Sequence, residues 1–293
     1  MREYILATAS TADLTSDYLN DHNIPYIPYT FTIDDKVFTD DCREETKAML
    51  YREMRSGKSV GTSAITEYAY YEFFKGLMDT GKDVIYVDMS GAISSSIQHA
   101  EQAVKTIRKE YPDQKIWFID SYCITGGLAL FFRRLVAMHE NGASYDEVVE
   151  WGETHKKEYI HRFMVDDLQW LRRGGRLSNA SAVIGTMLSI KPEICVDNNG
   201  KLVSYGTKHG RKKVMRSLVD ALKDDMSEAT ASEIVVIHTD TPEDAQKLAD
   251  SIRETYPQLK DAAIQIMTLG PTIAAHVGPG FLAIAYHGTH RSA

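Results

Sequence analysis

Short apolar runs alternate with amphipathic stretches through the first half of the chain. Tyr4-Ile5-Leu6 has the length of a short strand and leads at once into the polar stretch Thr8-Ala9-Ser10-Thr11 and Asp13. Residues 43–56 and 66–78 carry helical patterns, the second rich in Tyr and Phe. Val84-Ile85-Tyr86-Val87 is an unbroken apolar run, the signal of a buried strand. After it, Ile97, Ala100, Val104 and Ile107 recur at i, i+3, i+7 and i+10, on one face of a helix. Trp117-Phe118-Ile119 predicts the next strand, followed by a Gly-containing turn and an apolar helix from Leu128 to Met138. Strand alternating with helix in this order implies a mostly parallel sheet flanked by helices.

The second half has a different texture. Residues 163–194 mix Gly pairs, Arg and apolar residues without strand–helix regularity. Asp197-Asn198-Asn199-Gly200 is a turn signal between two strands, hence a hairpin. A helix over 211–223, a strand over 234–237, a helix over 243–255 and strands over 264–267 and 281–285 follow. The expectation is an α/β protein of two domains. Residues 1–160 form the N-terminal one, and 161–293 form a C-terminal one with a mixed or antiparallel sheet. No low-complexity linker separates them, so they are expected to pack tightly.

Bulk properties narrow the function. With 43% hydrophobic and 25% charged residues, 293 residues can bury a sizeable core. A net charge of −8 argues against nucleic acid as partner, because phosphate binding draws on excess Lys and Arg. Cys42, Cys123 and Cys195 form no CxxC pair, which reads as reduced thiols and argues against a structural zinc site. The apolar run in MREYILATAS is too short for a signal peptide, and nowhere does one approach the roughly 20 residues that span a bilayer. A cytoplasmic location is the expectation.

Four segments carry candidate chemistry. Ser94-Ser95-Ser96 lies between a buried strand and the start of a helix, where ligands of parallel sheets bind and where N–H groups face anions. Ordinary helix capping, the commoner role of serines there, accounts for them too. Thr62-Ser63 follows a Gly and precedes a helix, with the same two readings. His276 comes just before Gly278-Pro279-Gly280, a backbone stiff enough to hold a side chain in a cleft. Arg172-Arg173-Gly174-Gly175-Arg176, with Lys191 beyond, suits phosphate or carboxylate recognition, or else a solvated loop. Gly57-Lys58-Ser59-Val60-Gly61 imitates a nucleophile elbow but follows a helix instead of a strand. Read as a P-loop, it has Arg52 where a Gly is needed. His287 and His290 lack a third metal ligand.

Together these segments resemble the DegV family, whose members bind fatty acids and include the carrier subunits of bacterial fatty acid kinase. The resemblance runs almost end to end. It covers residues 10–14 (STADL), Thr62-Ser63, Ser90 to Ala100 (SGAISSSIQHA), Asp120-Ser121, Phe163 to Ser178 (FMVDDLQWLRRGGRLS), Ile190-Lys191-Pro192 and His276 with Gly278-Pro279-Gly280. It implies two α/β domains enclosing one acyl chain of C16–C18 length, with no other cofactor and no metal. The carboxylate would be held by Thr62 and Ser94 beside His276, with Ser63, Ser95 and Ser96 around them. Arg176 would face the ATP-binding subunit of the kinase, and contact with a membrane surface would be transient. His209 stands where the family has a second partner-facing Arg. Other departures are Ala9 for an Asp, Ser95-Ser96 for Gly-Thr, and Ala64-Ile65 for Gln-Pro.

The resemblance implies a carrier, not an enzyme. Two other readings use the same residues: an acyl hydrolase or transferase with Ser94 as nucleophile and His276 as base, and a phospho-ligand sensor built on Arg172–Arg176. The first lacks an identifiable acid to orient His276.

Overall fold

The computed structural model describes residues 3–176, 190–225, 233–259, 262–288 and 291. The chain begins with β1 (Tyr4–Ala9), a 3-10 turn at Ser10–Ala12, α1 (Ser16–Asp21) and the short β2 (Tyr26–Ile27). Then come β3 (Thr30–Ile33), β4 (Lys36–Thr39), α2 (Glu44–Arg55), β5 (Val60–Ser63), α3 (Glu67–Met78) and β6 (Asp83–Asp88). α4 (Ser96–Glu110), β7 (Ile116–Asp120), α5 (Thr125–Glu140) and α6 (Tyr145–His155) complete the first half. The second half runs β8 (Tyr159–Met164), α7 (Gln169–Arg173), β9 (Ile190–Val196), β10 (Leu202–His209) and α8 (Arg211–Asp225). It ends with β11 (Glu233–His238), α9 (Pro242–Thr255), β12 (Ala263–Thr268), α10 (Pro271–Val277) and β13 (Leu282–His287).

Two large sheets result. The first is parallel, in the order β2-β1-β6-β7. Every residue of β6 is buried, as expected of a central strand covered on both faces. The second has the order β10-β9-β8-β13-β11-β12 and is antiparallel except for the β11–β12 pair. Its strands alternate between two cores with the period of a pleat. Val235 and Ile237 of β11 and Ala283 and Ala285 of β13 join the core shared with the first sheet. Ile234, Val236, Leu282, Ile284 and Tyr286 point the other way, into a second core under α8 and α9.

Helix α5 lies where the halves meet. All of Thr125 to Phe132 is buried, and the helix packs on β8, β11, β13 and the first 3-10 turn. Such contact depends on Gly127: a Cβ there would stand 2.0 Å from Nε2 of the buried His161. The Gly pair read from sequence as a turn thus lies in the first turn of α5, where close helix–strand packing needs it.

The third sheet, β4-β3-β5, is antiparallel, and no strand was expected there. It carries Thr62, paired in register with Phe31. The stretch 163–194, read as irregular, contains the end of β8, all of α7 and the start of β9. The turn at 197–200 does join β9 to β10, closed by Asp197 N to Lys201 O at 2.9 Å and Gly200 N to Asp197 O at 3.0 Å. The last strand begins one residue later than expected, at Leu282. Among the described residues no helix is long and apolar enough to cross a membrane, and no group of three His, Cys, Asp or Glu is placed to hold a metal ion. Among the described residues no disulfide forms, and Cys42, Cys123 and Cys195 are buried.

Candidate functional site

The site is assembled from four places in the chain. Thr62 reaches it from β5, Ser94 from the loop between β6 and α4, His276 from the last turn of α10, and Arg176 from just beyond α7. Oγ1 of Thr62 lies 2.9 Å from Nε2 of His276. The helix over Glu67–Met78 is capped by Thr66, so capping does not explain Thr62. Ser94 Oγ accepts from Ser96 N at 3.3 Å just ahead of α4, whose N-cap position is Ser95, and Ser94 also lines the cleft. Ser96 is buried and accepts from Ile65 N at 3.0 Å, which ties the loop after Thr62 to the start of α4. Ser63 and Ser95 border the cleft with exposed side chains.

His276 was expected on a stiff loop, but it stands on a helix. Both carboxylates that fix the start of that helix were missed in the sequence. Asp13 accepts from Gly270 N at 3.1 Å, and Asp40 accepts from Thr272 N at 3.3 Å and Thr272 Oγ1 at 2.6 Å. Asp13 and Asp40 are fully buried, and burial pushes both carboxyls above the ordinary carboxylate range. Lys47 offsets some of that charge from nearby, bonded to Thr268 O at 3.2 Å. Among the described residues, His276 shares its side-chain hydrogen bond with Thr62 and not with a carboxylate. Burial, with the Arg176 charge beside it, pulls its pKa down to about 4, so the ring is neutral near pH 7.

The Arg-Gly-Gly-Arg segment touches the site through Gly174 and Arg176. Gly174 lies against the imidazole, where a Cβ would come within 2.4 Å of Nδ1 of His276. Arg176 is half-buried, with Nε 3.4 Å from Ile93 O and Nη1 bonded to Gly174 O. Arg172 and Arg173 are exposed. Lys191 is taken up elsewhere, with Nζ 2.8 Å from Asp166 O. His209 is exposed at the end of β10 and contributes nothing to the lining. Leu177, Ser178 and His290 lie outside the described residues.

Thr62, His276 and Arg176 stand between two spaces. On the outer side is a cleft of about 250 Å3 whose lining includes Lys58, Arg173 and Trp170. On the inner side, Tyr29, Met89, Ile93, Ser94, Thr272 and Ile273 surround about 30 Å3. Tyr29, which no sequence pattern had marked, is buried and places its hydroxyl 3.5 Å from Ser94 Oγ. The arrangement offers hydroxyl donors, a neutral imidazole and one guanidinium around an apolar floor. That chemistry suits an anionic head group on an apolar body.

The family model described as "Uncharacterised protein, DegV family" matches residues 5–288. The chain belongs to the DegV family. A DegV domain-containing protein of Clostridium perfringens is 33% identical over 291 residues, 98% of each chain. The crystal structure of DegV from Bacillus subtilis, described as a fatty acid binding protein, superposes with a TM-score of 0.84 at 25% identity, covering 99% of this chain and 100% of that one. The Streptococcus pneumoniae fatty acid kinase (Fak) B3 protein, solved loaded with linoleic acid, gives 0.82 at 23% identity over 98% and 100%. These likenesses establish the two-domain α/β architecture of the DegV protein described here.

Proposed function

We propose that this DegV protein binds one long-chain fatty acid of C16–C18 length and presents it to the ATP-binding subunit of a fatty acid kinase. Thr62, Ser94 and His276 hold the carboxylate, and the tail is buried between the units 1–160 and 161–293. The observation that carries the reading is the convergence of Thr62, Ser94 and His276 on one small cleft with an apolar floor. Fatty acid binding by the Bacillus subtilis DegV protein and by the Streptococcus pneumoniae protein supports it. Arg176, and by position His209, are assigned to the partner-facing surface. The protein acts as carrier, with chemistry left to the kinase.

Energetics favour such a ligand. A chain of about 14 methylenes gains on the order of 11 kcal/mol on leaving water, at roughly 0.8 kcal/mol each. Ordering and docking the chain take back several kcal/mol of that. The carboxylate then needs donors more than strength, because burying it without them is costly. The inner space of about 30 Å3 is far below the roughly 300–1,000 Å3 of small-molecule sites. Loading therefore parts the side chains around it, with Met89, Ile93 and Ile273 the apolar groups nearest the head-group hydroxyls.

Native mass spectrometry of the purified protein, with extraction of whatever leaves on denaturation, tests the reading. One bound species with the mass of a fatty acid is the expected result. An empty protein that also fails to take up added fatty acids would overturn it.

A further inference from the structure

The segment Gly57-Lys58-Ser59-Val60-Gly61, which makes neither a nucleophile elbow nor a P-loop, runs along the outer cleft, and Lys58 to Gly61 line it. Helix α2 delivers it there. The helix ends in a Schellman pattern, with Gly57 N bonded to Met54 O at 3.0 Å and Lys58 N to Glu53 O at 3.2 Å. Gly57 takes the left-handed conformation that this requires, at φ +86°. The following residue is fixed from the turn between β3 and β4: Ser59 N donates to Asp34 Oδ1 at 3.1 Å, and Asp34 N to Ser59 O at 2.7 Å. Lys58 therefore leaves the chain at a set point on the wall of the cleft.

A second stretch of wall comes from α7 and the residues just beyond it. Arg173 lies over the Trp170 ring, its guanidinium carbon 5.3 Å from the centroid, and both residues line the cleft. Such stacking orients a guanidinium by its face and leaves the N–H edge to an anion. Arg176 donates to the backbone carbonyls of Ile93 and Gly174. Lys58 is paired at 2.5 Å with Glu53, a carboxylate that also meets Arg52 and lies outside the lining. Among the described residues, Lys58, Arg173 and Arg176 line the cleft and no Asp or Glu does. In a chain of net charge −8, walls of one sign mark a place for an anion.

A fatty acid carboxylate does not account for all three cations. Thr62, Arg176 and His276 line the inner space as well as the outer one, so a carboxylate held by them sits on the boundary. Lys58 and Arg173 line the outer space and not the inner one. What they meet lies on the outward side of the carboxylate.

We infer that the outer cleft seats a phosphoryl group joined to the bound acyl chain, with Lys58 and Arg173 as its cationic ligands. This inference rests on the carrier reading. In the transfer, a carboxylate oxygen forms a bond to the γ-phosphorus of ATP as the bond from that phosphorus to ADP breaks, and the electron pair leaves on ADP. No proton is gained or lost. The ligand acquires a second negative charge and grows outward into the space of about 250 Å3, while the acyl chain keeps its place. Lys58 and Arg173 thus tell product from substrate: they meet the acyl phosphate and leave the fatty acid untouched.

(2-Oxoheptadecyl)phosphonate, in which a methylene replaces the bridging oxygen of hexadecanoyl phosphate, is the stable probe, and hexadecanoate is the reference. Both are titrated calorimetrically into wild type, Lys58→Met and Arg173→Met, substitutions that keep most of each side-chain stem and remove the charge. Wild type is expected to bind the phosphonate at least as tightly as hexadecanoate. Each variant is expected to lose about three- to tenfold in phosphonate affinity, between the loss of an exposed ion pair and that of a buried charged hydrogen bond. Hexadecanoate affinity is expected to stay unchanged, which also shows that the variants are folded. A wild type that takes hexadecanoate and refuses the phosphonate, or variants that lose neither ligand or both equally, overturns the phosphoryl site and leaves the carrier reading standing. So does saturable binding of inorganic phosphate to the hexadecanoate-loaded wild type that both variants abolish, because it assigns the cleft to a separate anion. A wild type that binds neither acyl ligand overturns both.

Discussion

Gly174→Ala tests whether the Arg-Gly-Gly-Arg segment shapes the head-group site through His276. Gly174 has φ −72° and ψ −12°, a conformation that Ala adopts freely. Backbone terms alone make the change stabilising by about 0.4–1 kcal/mol. The new Cβ, however, would stand 2.4 Å from Nδ1 of His276, so the ring must retreat by about 1 Å to reach ordinary contact at 3.4 Å. A shift of that size breaks the 2.9 Å bond from His276 to Thr62 and moves the imidazole off the carboxylate. One such bond contributes about 0.5–1.5 kcal/mol, which is roughly a two- to tenfold loss of affinity. Gly175→Ala is the control: Gly175 has φ +67° and nothing within 4 Å, so that variant strains the backbone and leaves the imidazole untouched. Fatty acid affinity is measured beside urea denaturation and the NMR signals of the His276 ring. The expected outcome is weaker binding and shifted ring signals in Gly174→Ala, and lower stability with unchanged ring signals in Gly175→Ala. Wild-type affinity and unshifted ring signals in Gly174→Ala would refute the reasoning.

Thr62→Ala or Ser94→Ala takes one donor from the bound carboxylate and should lower fatty acid affinity by roughly ten- to hundredfold, from about 1.5–3 kcal/mol per bond to a charged group; titration calorimetry reads it, and unchanged affinity in both removes these residues from the pocket. Arg176→Ala should slow kinase-coupled turnover while sparing lipid affinity; a large binding loss would place Arg176 on the ligand instead. The depressed pKa of His276, about 4 against 6.5, makes stability depend on pH. Below pH 6.5 the unfolded chain takes up a proton that the folded ring refuses, so stability falls toward pH 4, by at most about 1.4 kcal/mol per unit from this group. Urea titrations between pH 7 and 5 should show a shallower loss for His276→Gln than for wild type, and equal slopes would contradict the burial argument.

How far the sequence could be read depended on whether a signal was local. Val84–Val87 lie within β6 (Asp83–Asp88), and Ile97, Ala100, Val104 and Ile107 all face inward on α4, because burial leaves a periodic trace. The sheet β4-β3-β5 left little: β3 alternates polar and apolar over only four residues, β4 is mostly exposed, and β5 reads Val-Gly-Thr-Ser. The helix α10 was hidden by its flanking Gly-Pro pairs, which look like loop although Pro271 opens a helix without difficulty. Thr62, Ser94 and His276 were named from motif residues, and the fold does bring them to one cleft. Asp13, Asp40 and Tyr29 escaped notice as site residues because their roles come from partners far along the chain. Gly270, for example, meets Asp13, and Ser94 meets Tyr29. Spacing along one strand or helix cannot encode such a meeting.

The position of α5 governs how this protein can be taken apart. Its first eight residues are covered on one side by the opening turn of the chain and on the other by strands from the second half. A cut at residue 160 would separate Gly126 from Val235 and Ile237, Gly127 from His161, and Arg133 from Glu233 and Gln265. Chimeras that exchange halves between relatives at that point would inherit a helix fitted to the wrong sheet. An exchange that keeps α5 with β8, β11 and β13 preserves the seam. The unit to exchange as one piece is therefore discontinuous, running from Thr125 to Glu140 and resuming at Tyr159.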